Sequence, residues 1–415
     1  MQVIHGIDAL DAKIEECTRA EAISDDAMRA VFGTFRMEPP EDLPPDPLSE
    51  AYRTAQLALY RGIAGRDYAT ANEVTAFDID AALCRPFPFY TGSGVTAGEH
   101  FMAIGFLLRA MALPAGSRIV EFGPGWGNTT IMLAKLGHQM TVVDIEPHFC
   151  ELIRRRAAQE DVEVEVVQDD FFWAERSGQR FDAALFFECF HHCADHLRLL
   201  RALRQALVPE GRVFLAGEPI TADFPMPWGL RLDGNSLWAI RKNGWLELGF
   251  RDDYFARALA ETGWHGRRHA CSDPGWLTLW EARRRDQPVF RADGADPRIN
   301  TLIGQRVGTV IELAGGKAGT GLHGPYITLP AGTYTARLRL RSAQGSGGRA
   351  CMDIACDTGS RRLAELQIDS SVIGPQGCTF DLHFDANTSL QQLEVRLFCE
   401  KGFRAVIEGI EIVVR

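Results

Sequence analysis

The sequence predicts an α/β protein: a doubly wound sheet of seven strands with its last strand antiparallel, a helical N-terminal extension and a C-terminal all-β sandwich of jelly-roll type. Between Gly98 and Arg285, strand segments alternate with helical segments, which is typical of βαβ units and a parallel sheet. The last two strand segments of this region are separated only by residues 272–274, too few for a crossover, so the last strand should run antiparallel. After Phe290 the helical period gives way to short alternating segments between turn residues, as in a sandwich.

The same patterns divide the chain into regions. A chain of 415 residues is too long for one hydrophobic core. Residues 1–85 are predicted to form a helical extension with a connector that carries five prolines and cannot hold a helix. Residues 86–288 form the predicted α/β domain, with an insertion at 218–250. Residues 292–415 form the predicted sandwich, after a linker near 285–295.

Each element of the α/β domain has its own signal. Helices are indicated by apolar residues at helical spacing, and buried strands by short apolar runs. The predicted helices cover residues 99–113, 129–137, 147–160, 194–207 and 251–263. The predicted strands cover residues 118–123, 139–146, 162–170, 181–190, 211–219, 264–271 and 275–285. This order gives five parallel strands joined by helices and a closing antiparallel pair.

Composition and charge narrow the possible function classes. The net charge is −11, and the segment from Phe290 onward holds 14 Lys and Arg against 13 Asp and Glu, so the acidic excess lies before it. Binding to phosphates needs a basic face, so we expect no nucleic-acid partner. No apolar run reaches the roughly 18 residues of a membrane span, and the N-terminus has no secretory pattern. The ten cysteines follow no regular spacing, so we expect a cytoplasmic protein with free thiols.

A glycine-rich turn is the clearest functional signal. Gly123, Gly125 and Gly127 follow a buried strand and open a helix, where glycine lets the backbone turn sharply and lets a ligand approach closely. The next strand ends at Asp144, 21 residues after Gly123. An acid at this position can hold the hydroxyls of a ribose. The turn alone would fit any tight βα connection, but the two strand ends together predict a nucleoside-binding crevice.

These residues resemble the motifs of class I S-adenosylmethionine-dependent methyltransferases, which have a Rossmann-like fold. The resemblance covers about Gly98 to Arg285 and concerns the fold and the cofactor, not the acceptor. A dinucleotide oxidoreductase is the structural alternative, but Glu121 before the glycines and the antiparallel final strand favour the methyltransferase. The resemblance implies S-adenosyl-L-methionine as cofactor. It also implies cofactor contacts from Tyr90, Glu121, Gly123, Gly125, Gly127, Asp144, Ile145, Asp169, Asp170, Phe171 and Glu188.

A pair of histidines follows the fourth predicted strand. The carboxyl ends of such strands face the crevice, and an oxygen nucleophile usually needs a general base. His191 and His192 are therefore the candidate catalytic residues, because imidazole titrates near neutral pH. One of them could instead cap the following helix. His192 with Cys189 and Cys193 would place three ligands within one turn and no fourth, so we expect no metal.

The insertion at 218–250 is rich in tryptophan and charged residues. Sugars stack their C–H faces on aromatic rings and use fixed polar partners, so we expect the insertion to bind a small-molecule or glycan acceptor. Its tryptophans could also serve only to pack a surface subdomain. The candidate acceptor-binding residues are Trp228, Arg231, Asp233, Trp238, Arg241 and Trp245.

Residues 324–334 resemble the start of a carbohydrate-binding-module-like jelly roll. The predicted sandwich has no tryptophan, so a protein partner or a homo-oligomer contact fits it as well as a glycan does. The combined pattern predicts O-methylation of a sugar or glycoconjugate in bacterial polysaccharide or natural-product assembly. The alternatives are methylation of a nitrogen or of another small metabolite, and a non-catalytic cofactor-binding scaffold.

Overall fold

The computed structural model describes residues 1–74, 76–285, 288–343 and 347–415. The chain divides into two compact units, Met1–Arg284 and Arg285–Arg415. Asp286 and Gln287, within the predicted linker, lie outside the described residues. Among the described residues, no helix combines the length and the apolar character needed to span a membrane.

The helices lie in the first unit. They are α1 (Ile7–Glu21), α2 (Asp25–Phe32), α3 (Glu50–Ala64), α4 (Ile79–Cys84), α5 (Gly94–Met111), α6 (Asn128–Lys135), α7 (Pro147–Gln159), α8 (Trp173–Arg176), α9 (His196–Ala206), α10 (Gly234–Trp238) and α11 (Asp252–Glu261). A π-helical turn continues α10 over Ala239–Asn243, and short 3₁₀ turns lie at Thr70–Glu73, Phe89–Thr91, Phe190–His192 and, in the second unit, Ser370–Val372.

The strands of the first unit are β1 (Gln2–Val3), β2 (Phe35–Arg36), β3 (Arg118–Phe122), β4 (Gln139–Asp144), β5 (Val164–Gln168), β6 (Phe181–Phe187), β7 (Leu207–Ala216), β8 (Ile220–Thr221), β9 (Trp228–Leu230), β10 (Leu248–Arg251), β11 (Trp264–Ala270) and β12 (Thr278–Arg284). Those of the second unit are β13 (Pro288–Ala292), β14 (Gln305–Val307), β15 (Val310–Ala314), β16 (Gly319–Leu322), β17 (Pro325–Leu329), β18 (Gly332–Ser342), β19 (Arg349–Cys356), β20 (Arg361–Asp369), β21 (Cys378–Ala386), β22 (Leu390–Cys399) and β23 (Arg404–Val414).

The central sheet has seven strands in the order β11-β12-β7-β6-β3-β4-β5. Strands β3 to β7 pair in parallel, and β12 runs antiparallel between β7 and β11. This confirms the predicted fold class. Residues 183–186 of β6 are fully buried, as expected for a parallel strand covered by helices on both faces. The strand order reverses between β3 and β6, which places a crevice at their carboxyl ends.

Strand β12 carries a buried carboxylate with several positive partners. Glu281 lies 2.9 Å from His269 Nε2, 2.6 Å from Arg283 Nη2 and 3.2 Å from Arg212 Nη1. Burial raises the pKa of Glu281, but its hydrogen bond to His269 and the charges of Arg283 and Arg212 outweigh burial and lower that pKa to about 2. The cluster therefore ties the last strand to its neighbours.

The N-terminal extension packs against the insertion rather than standing apart from the domain. The Tyr52 hydroxyl on α3 donates to the Trp228 carbonyl at 2.9 Å, and the Tyr60 hydroxyl donates to the Gly244 carbonyl at 2.5 Å. Strands β8, β10 and β9 form a small sheet, and apolar residues of the extension and of this sheet belong to one core. The insertion is thus an ordered layer whose partner is the N-terminal extension.

The second unit is a sandwich of two sheets, as predicted for an all-β C-terminal region. One sheet has the order β14-β15-β23-β18-β21, with β13 also paired to β23, and the other has the order β16-β22-β19-β20, with β17 also paired to β22. Alternate residues of the long strands, such as Leu338 and Leu397, are fully buried in a shared core. Arg396 makes two hydrogen bonds to the buried carboxylate of Asp353, at 2.8 and 2.7 Å.

Candidate active site

A glycine-rich turn joins β3 to α6. Gly123 has a φ of 57°, and a Cβ built on it would lie 2.8 Å from Cys189 Cβ, so both the backbone and the space require glycine. Gly127, at φ 72°, precedes α6, and its Cβ would lie 2.9 Å from Ile153. Gly125, at φ 51°, has no described protein atom within 4 Å of such a Cβ. The backbone at Gly125 is therefore open to a ligand.

Asp144 ends β4 with its carboxylate directed at this turn. Its Oδ2 accepts from the Gly125 N–H at 3.4 Å and its Oδ1 from the Glu146 N–H at 2.9 Å. Burial raises the pKa of this carboxyl to about 6, against the effect of the backbone N–H groups. Each oxygen keeps a lone pair that can accept a further hydrogen bond.

Glu121 lies beneath the turn. The hydroxyls of Thr129 and Thr130 on α6 both donate to its fully buried carboxyl group, the second at 2.5 Å. Burial raises the pKa of Glu121 to about 7. These hydrogen bonds connect the first turn of α6 to β3. Glu121 therefore stabilises the conformation of the glycine turn between them.

The loop after β5 brings two acids and an aromatic ring to the same edge of the sheet. Arg176 Nη2 lies 2.6 Å from Asp169 Oδ1 and 2.9 Å from Asp170 Oδ1. The Phe171 ring stands edge-on to Phe122 and Phe186, with centroid distances of 6.1 and 5.7 Å. The loop is therefore fixed by an ion pair on one side and by ring packing on the other.

One cavity of about 670 Å³ extends over the carboxyl ends of β5, β4, β3 and β6, a volume typical of small-molecule sites. Its lining includes nine of the predicted cofactor residues: Tyr90, Gly123, Gly125, Asp144, Ile145, Asp169, Asp170, Phe171 and Glu188. Glu121 and Gly127 do not line it. Trp126, Phe149 and Phe77 add aromatic surface, and the Tyr90 ring lies 5.6 Å from that of Trp126.

A buried glutamate organises the histidine turn after β6. Glu218 follows β7, and its Oε1 accepts from the Cys189 and Phe190 N–H groups, both at 2.9 Å. Its Oε2 accepts from the His191 N–H at 3.1 Å and lies 2.8 Å from His191 Nδ1. Because these oxygens act as acceptors, Nδ1 of His191 is the donor and its Nε2 keeps a lone pair. That Nε2 lies 3.7 Å from Oε2 of Glu247.

The Nδ1 of His192 is also held by a hydrogen bond, but to a different partner. Its Nδ1 lies 2.7 Å from the Leu246 carbonyl, which can only accept, so Nδ1 carries the proton. The two histidine rings have a centroid distance of 4.2 Å. His192 lines the cavity, whereas His191 lies behind it. The Nε2 of each imidazole therefore keeps a lone pair, and that of His191 faces Glu247.

The N-terminal extension completes this part of the cavity with Tyr68, Thr70 and Glu73. The Tyr68 hydroxyl donates to the His192 carbonyl at 3.1 Å, and Glu73 Oε1 accepts from the Leu246 N–H at 2.8 Å. Burial raises the pKa of Glu73 to about 7. Side chains of residues 68–73 thus contact the turn that contains His192, although the two segments are far apart in sequence.

Glu188 follows β6 in a backbone conformation that non-glycine residues rarely adopt. Its φ is 54°, its N–H donates to the Ala216 carbonyl at 2.9 Å, and it lines the cavity. Burial, and then the nearby charge of Glu218, raises its pKa to about 7. A strained backbone at a cavity wall is a feature that clusters at functional sites.

The structure brings only one of the six predicted acceptor residues, Trp245, to the cavity. Trp228 is 2% exposed and donates from Nε1 to the Pro47 carbonyl at 2.7 Å. The Trp238 ring packs on Phe32 at a centroid distance of 5.6 Å. The other three are held in ion pairs and a helix cap away from the lining: Arg241 with Asp11, Arg231 with Asp233 and Glu247, and Asp233 at the N-terminus of α10.

Sequence reasoning missed three glutamates that shape the site. Glu218 is the first residue of the insertion and Glu247 lies near its end. Glu73 belongs to the N-terminal extension, where no motif marks it. For Glu218 a usable signal existed, because it comes two residues after the last residue of a parallel strand, where side chains face the crevice. Glu73 and Glu247 are recognisable only once the chain is folded.

Comparison with known proteins identifies one domain. Residues 119–211 match the family described as "Methyltransferase domain". A curated relative, the ubiquinone biosynthesis O-methyltransferase of Xanthomonas axonopodis pv. citri, is 32% identical over 105 residues, 25% of this chain and 44% of that protein. The same enzyme of Xanthomonas campestris pv. campestris (strain B100) is 32% identical over 113 residues, 27% of this chain and 46% of that protein. The chain spans less than half the length of these relatives.

Two solved structures are similar to part of this chain. An S-adenosylmethionine-dependent methyltransferase from Mesorhizobium loti covers 44% of this chain with 98% of its own, at 22% identity and a TM-score of 0.36. Magnesium protoporphyrin IX methyltransferase of Synechocystis with bound SAH covers 46% with 85% of its own, at 16% identity and a TM-score of 0.34. The family match at 119–211 covers the glycine turn, Asp144 and the histidine turn. Within the first unit, residues 119–211 therefore match a methyltransferase domain.

Proposed function

We propose that the protein is an S-adenosylmethionine-dependent O-methyltransferase that acts on a hydroxyl group of a sugar or glycoconjugate. The observation that carries this proposal is a single cavity lined both by Gly125 and Asp144 and by polar side chains around His192. A cofactor bound to the first group and an acceptor bound to the second would share one enclosed space, as a direct methyl transfer requires.

The described residues fit the cofactor. The backbone at Gly125 is open, and the carboxylate of Asp144 retains lone pairs for the hydroxyls of a ribose. Asp169 and Phe171 line the same edge, where the family resemblance puts the adenine. When bound, S-adenosylmethionine supplies a methyl group on a sulfonium. The contribution of the protein is then to align the acceptor with that group and to exclude water with aromatic side chains.

The part of the cavity around His192 suits an acceptor with several hydroxyls. Glu73, Glu188 and Glu247 offer carboxyl oxygens, and Tyr68 adds an aromatic face. The Nε1 of Trp245 is buried and has no hydrogen-bond partner among the described residues. Several oxygens, an unused N–H donor and aromatic surface together match the recognition of a sugar ring.

The acceptor hydroxyl must lose its proton while the new O–CH₃ bond forms. We place this step at the turn of His191 and His192, because each Nδ1 proton is committed to a fixed acceptor and each Nε2 retains a lone pair. Glu218 and the Leu246 carbonyl act as positioning groups for the two rings. This assigns the two histidines of the sequence prediction to the acceptor and Asp144 to the cofactor.

A second candidate acceptor is a hydroxylated intermediate of ubiquinone biosynthesis. The two curated relatives carry that pathway in their names, and both are O-methyltransferases. Their similarity supports oxygen as the methylated atom. It leaves the acceptor open, because it covers about a quarter of this chain.

The test is methyl transfer from labelled S-adenosylmethionine to panels of sugars, nucleotide sugars, ubiquinone-pathway hydroxyls and amines, with release of S-adenosylhomocysteine as readout. Labelled product in the sugar panel is the expected result. Product only in the ubiquinone panel would select the second candidate, and product only with amines would overturn the proposal. A protein that binds the cofactor but releases no S-adenosylhomocysteine with any panel would be a scaffold.

A matched pair of variants separates cofactor binding from folding. Asp144→Ala removes the carboxylate at the glycine turn and should weaken cofactor binding at least ~10-fold, as expected for a lost charged hydrogen bond of about 1.5–3 kcal/mol. Asp26→Ala removes an exposed acid of α2 and should leave binding unchanged. Equal affinities for the two variants would contradict the assigned role of Asp144.

For the second unit we propose a binding role rather than a catalytic one. One cavity of this unit, about 1010 Å³, is an open groove with charged walls, where Arg291 pairs with Glu411 and Arg339 with Glu408. A glycan, a protein partner or another copy of the chain are the candidate ligands from sequence. If the ligand is a glycan, residues 285–415 expressed separately should bind to a glycan array. If it is a protein or another copy of the chain, they should instead capture a partner protein or self-associate.

A further inference from the structure

Three ligand-type side chains converge beside the cavity. His191, His192 and Glu247 each offer one nitrogen or oxygen atom, and these atoms lie within 4.8 Å of one another. The His191 Nε2 and Glu247 Oε2 atoms are 3.7 Å apart. Atoms bound to one ion at about 2.0–2.2 Å in a tetrahedral arrangement lie about 3.3–3.6 Å apart, so small side-chain movements would bring the three into coordination distance.

The hydrogen bonds behind these side chains provide a second, independent observation. His191 gives its Nδ1 proton to the carboxylate of Glu218, and His192 gives its Nδ1 proton to the Leu246 carbonyl. Metal-binding histidines almost always donate their second N–H to a carboxylate or a backbone carbonyl, which fixes the tautomer and the ring. Both outer partners required by that pattern are present, and both Nε2 lone pairs are left for an ion.

The surroundings also favour a cation. Glu73 and Glu188 also line the cavity, whereas Arg231, with its Nη1 3.6 Å from Glu247 Oε2, is the positive group that would compete with an ion for that carboxylate. The nearby cysteines do not compete, because Cys189 Sγ donates to the Phe122 carbonyl at 2.9 Å. The set is therefore two imidazoles and one carboxylate, not the Cys and His set that sequence spacing brings to mind.

We propose that His191, His192 and Glu247 bind one divalent transition-metal ion such as Zn²⁺ or Mn²⁺. Two imidazoles with one carboxylate suit these ions better than Mg²⁺ or Ca²⁺, which prefer oxygen ligands only. Since His192 and Glu247 line the cavity, the remaining coordination positions open into it. The ion site itself stands without the proposed function. Only its consequence rests on that function: with the ion bound, both Nε2 atoms would be ligands instead of bases, and the ion would lower the pKa of an acceptor hydroxyl, whose proton would pass to solvent before the oxygen attacks the methyl group.

The test is metal binding by the full chain after chelator treatment and dialysis. Calorimetric titration with Zn²⁺ and Mn²⁺ should give a stoichiometry of one, and Co²⁺ should give visible absorption bands of a nitrogen and oxygen site. Glu247→Gln and His192→Asn should each lower the affinity at least ~10-fold, which is the lower end of the effect of losing even an outer partner. His138→Asn, which changes a histidine outside the cavity lining, should leave it unchanged.

The outcomes separate this proposal from the proposed function. S-adenosylmethionine affinity and thermal unfolding, measured on each variant, show that the fold is intact. A wild-type protein that binds S-adenosylmethionine but none of the three ions overturns the metal site, as does ion binding that survives both Glu247→Gln and His192→Asn. Stoichiometric, variant-sensitive ion binding without methyl transfer to any acceptor would leave the metal site standing and remove the methyltransferase proposal.

Discussion

Replacing Gly125 by alanine is the sharpest perturbation of the glycine turn. A Cβ at this position meets no described protein atom within 4 Å, so the methyl group would enter only the cavity. The backbone cost comes from φ 51°, where a side chain costs about 1–2 kcal/mol. For a unit of this size that lowers the melting temperature by roughly 2–8 °C. The added methyl should also weaken S-adenosylmethionine binding ~10-fold or more, which is about 1.4 kcal/mol.

Two other glycines make the comparison decisive. Gly137 follows α6 at φ 84°, has no described atom within 4 Å of a built Cβ and does not line the cavity. Gly137→Ala should therefore lower stability as Gly125→Ala does, while leaving cofactor affinity unchanged. Gly123→Ala adds a clash with Cys189 to the same backbone cost and should destabilise by a further ~1–3 kcal/mol.

The assay is calorimetric titration with S-adenosylmethionine beside thermal unfolding of each variant. Wild-type affinity in Gly125→Ala would refute the assignment of the turn to the cofactor. An equal loss of affinity in Gly137→Ala would show that backbone strain, not the added methyl group, causes the effect.

Three further predictions concern stability. The pKa of Glu281 is held at about 2, against 4.5 in the unfolded chain, so this carboxylate stabilises the fold by about 3 kcal/mol above pH 4.5, and the stabilisation is lost as the pH falls toward 2. In thermal unfolding, the stability advantage of the wild-type protein over Glu281→Gln should vanish across that pH range, and a pH-independent difference would contradict the electrostatic cause. Arg396→Met leaves the carboxylate of Asp353 buried without its partner and should lower the free energy of unfolding of the second unit by about 3–5 kcal/mol, measured with denaturant. Adding Asp353→Leu should restore most of this loss, and an undiminished loss in the double variant would refute the charge argument. Tyr52→Phe leaves the Trp228 carbonyl without its donor and should lower the free energy of unfolding of the first unit by about 1–3 kcal/mol in the same assay. An unchanged free energy of unfolding would show that the carbonyl finds another donor.

The sheet and the residues of the glycine turn that line the cavity could be predicted because their signals are local. The apolar runs of β3 to β7 identify buried parallel strands whatever lies elsewhere in the chain. Gly123 is constrained by a positive φ inside a five-residue turn, and Asp144 by its place at a strand end. Such positions can be recognised from a few neighbouring residues.

The residues of the cavity around His192 could not be predicted in the same way, because aromatic residues serve cores and ligand sites equally well. Trp228 is a residue type on which a sugar ring can stack, but it packs against Tyr52 and donates to the Pro47 carbonyl, which lie more than 170 residues away in sequence. Glu73 meets Leu246 across a similar span. A polar residue without a motif acquires its role only when distant segments fold together.

The contacts between α3 and the insertion restrict how this protein can be redesigned. Gln56 accepts the Leu230 N–H at 3.1 Å and lies against Gly229, where a Cβ would come within 2.6 Å of its side-chain amide. Grafting residues 218–250 from a homologue would leave this side chain facing a foreign backbone. A chimera with new acceptor selectivity must therefore transplant α3 and the insertion as a matched pair, and in natural variants substitutions at Gln56 and Gly229 should occur together.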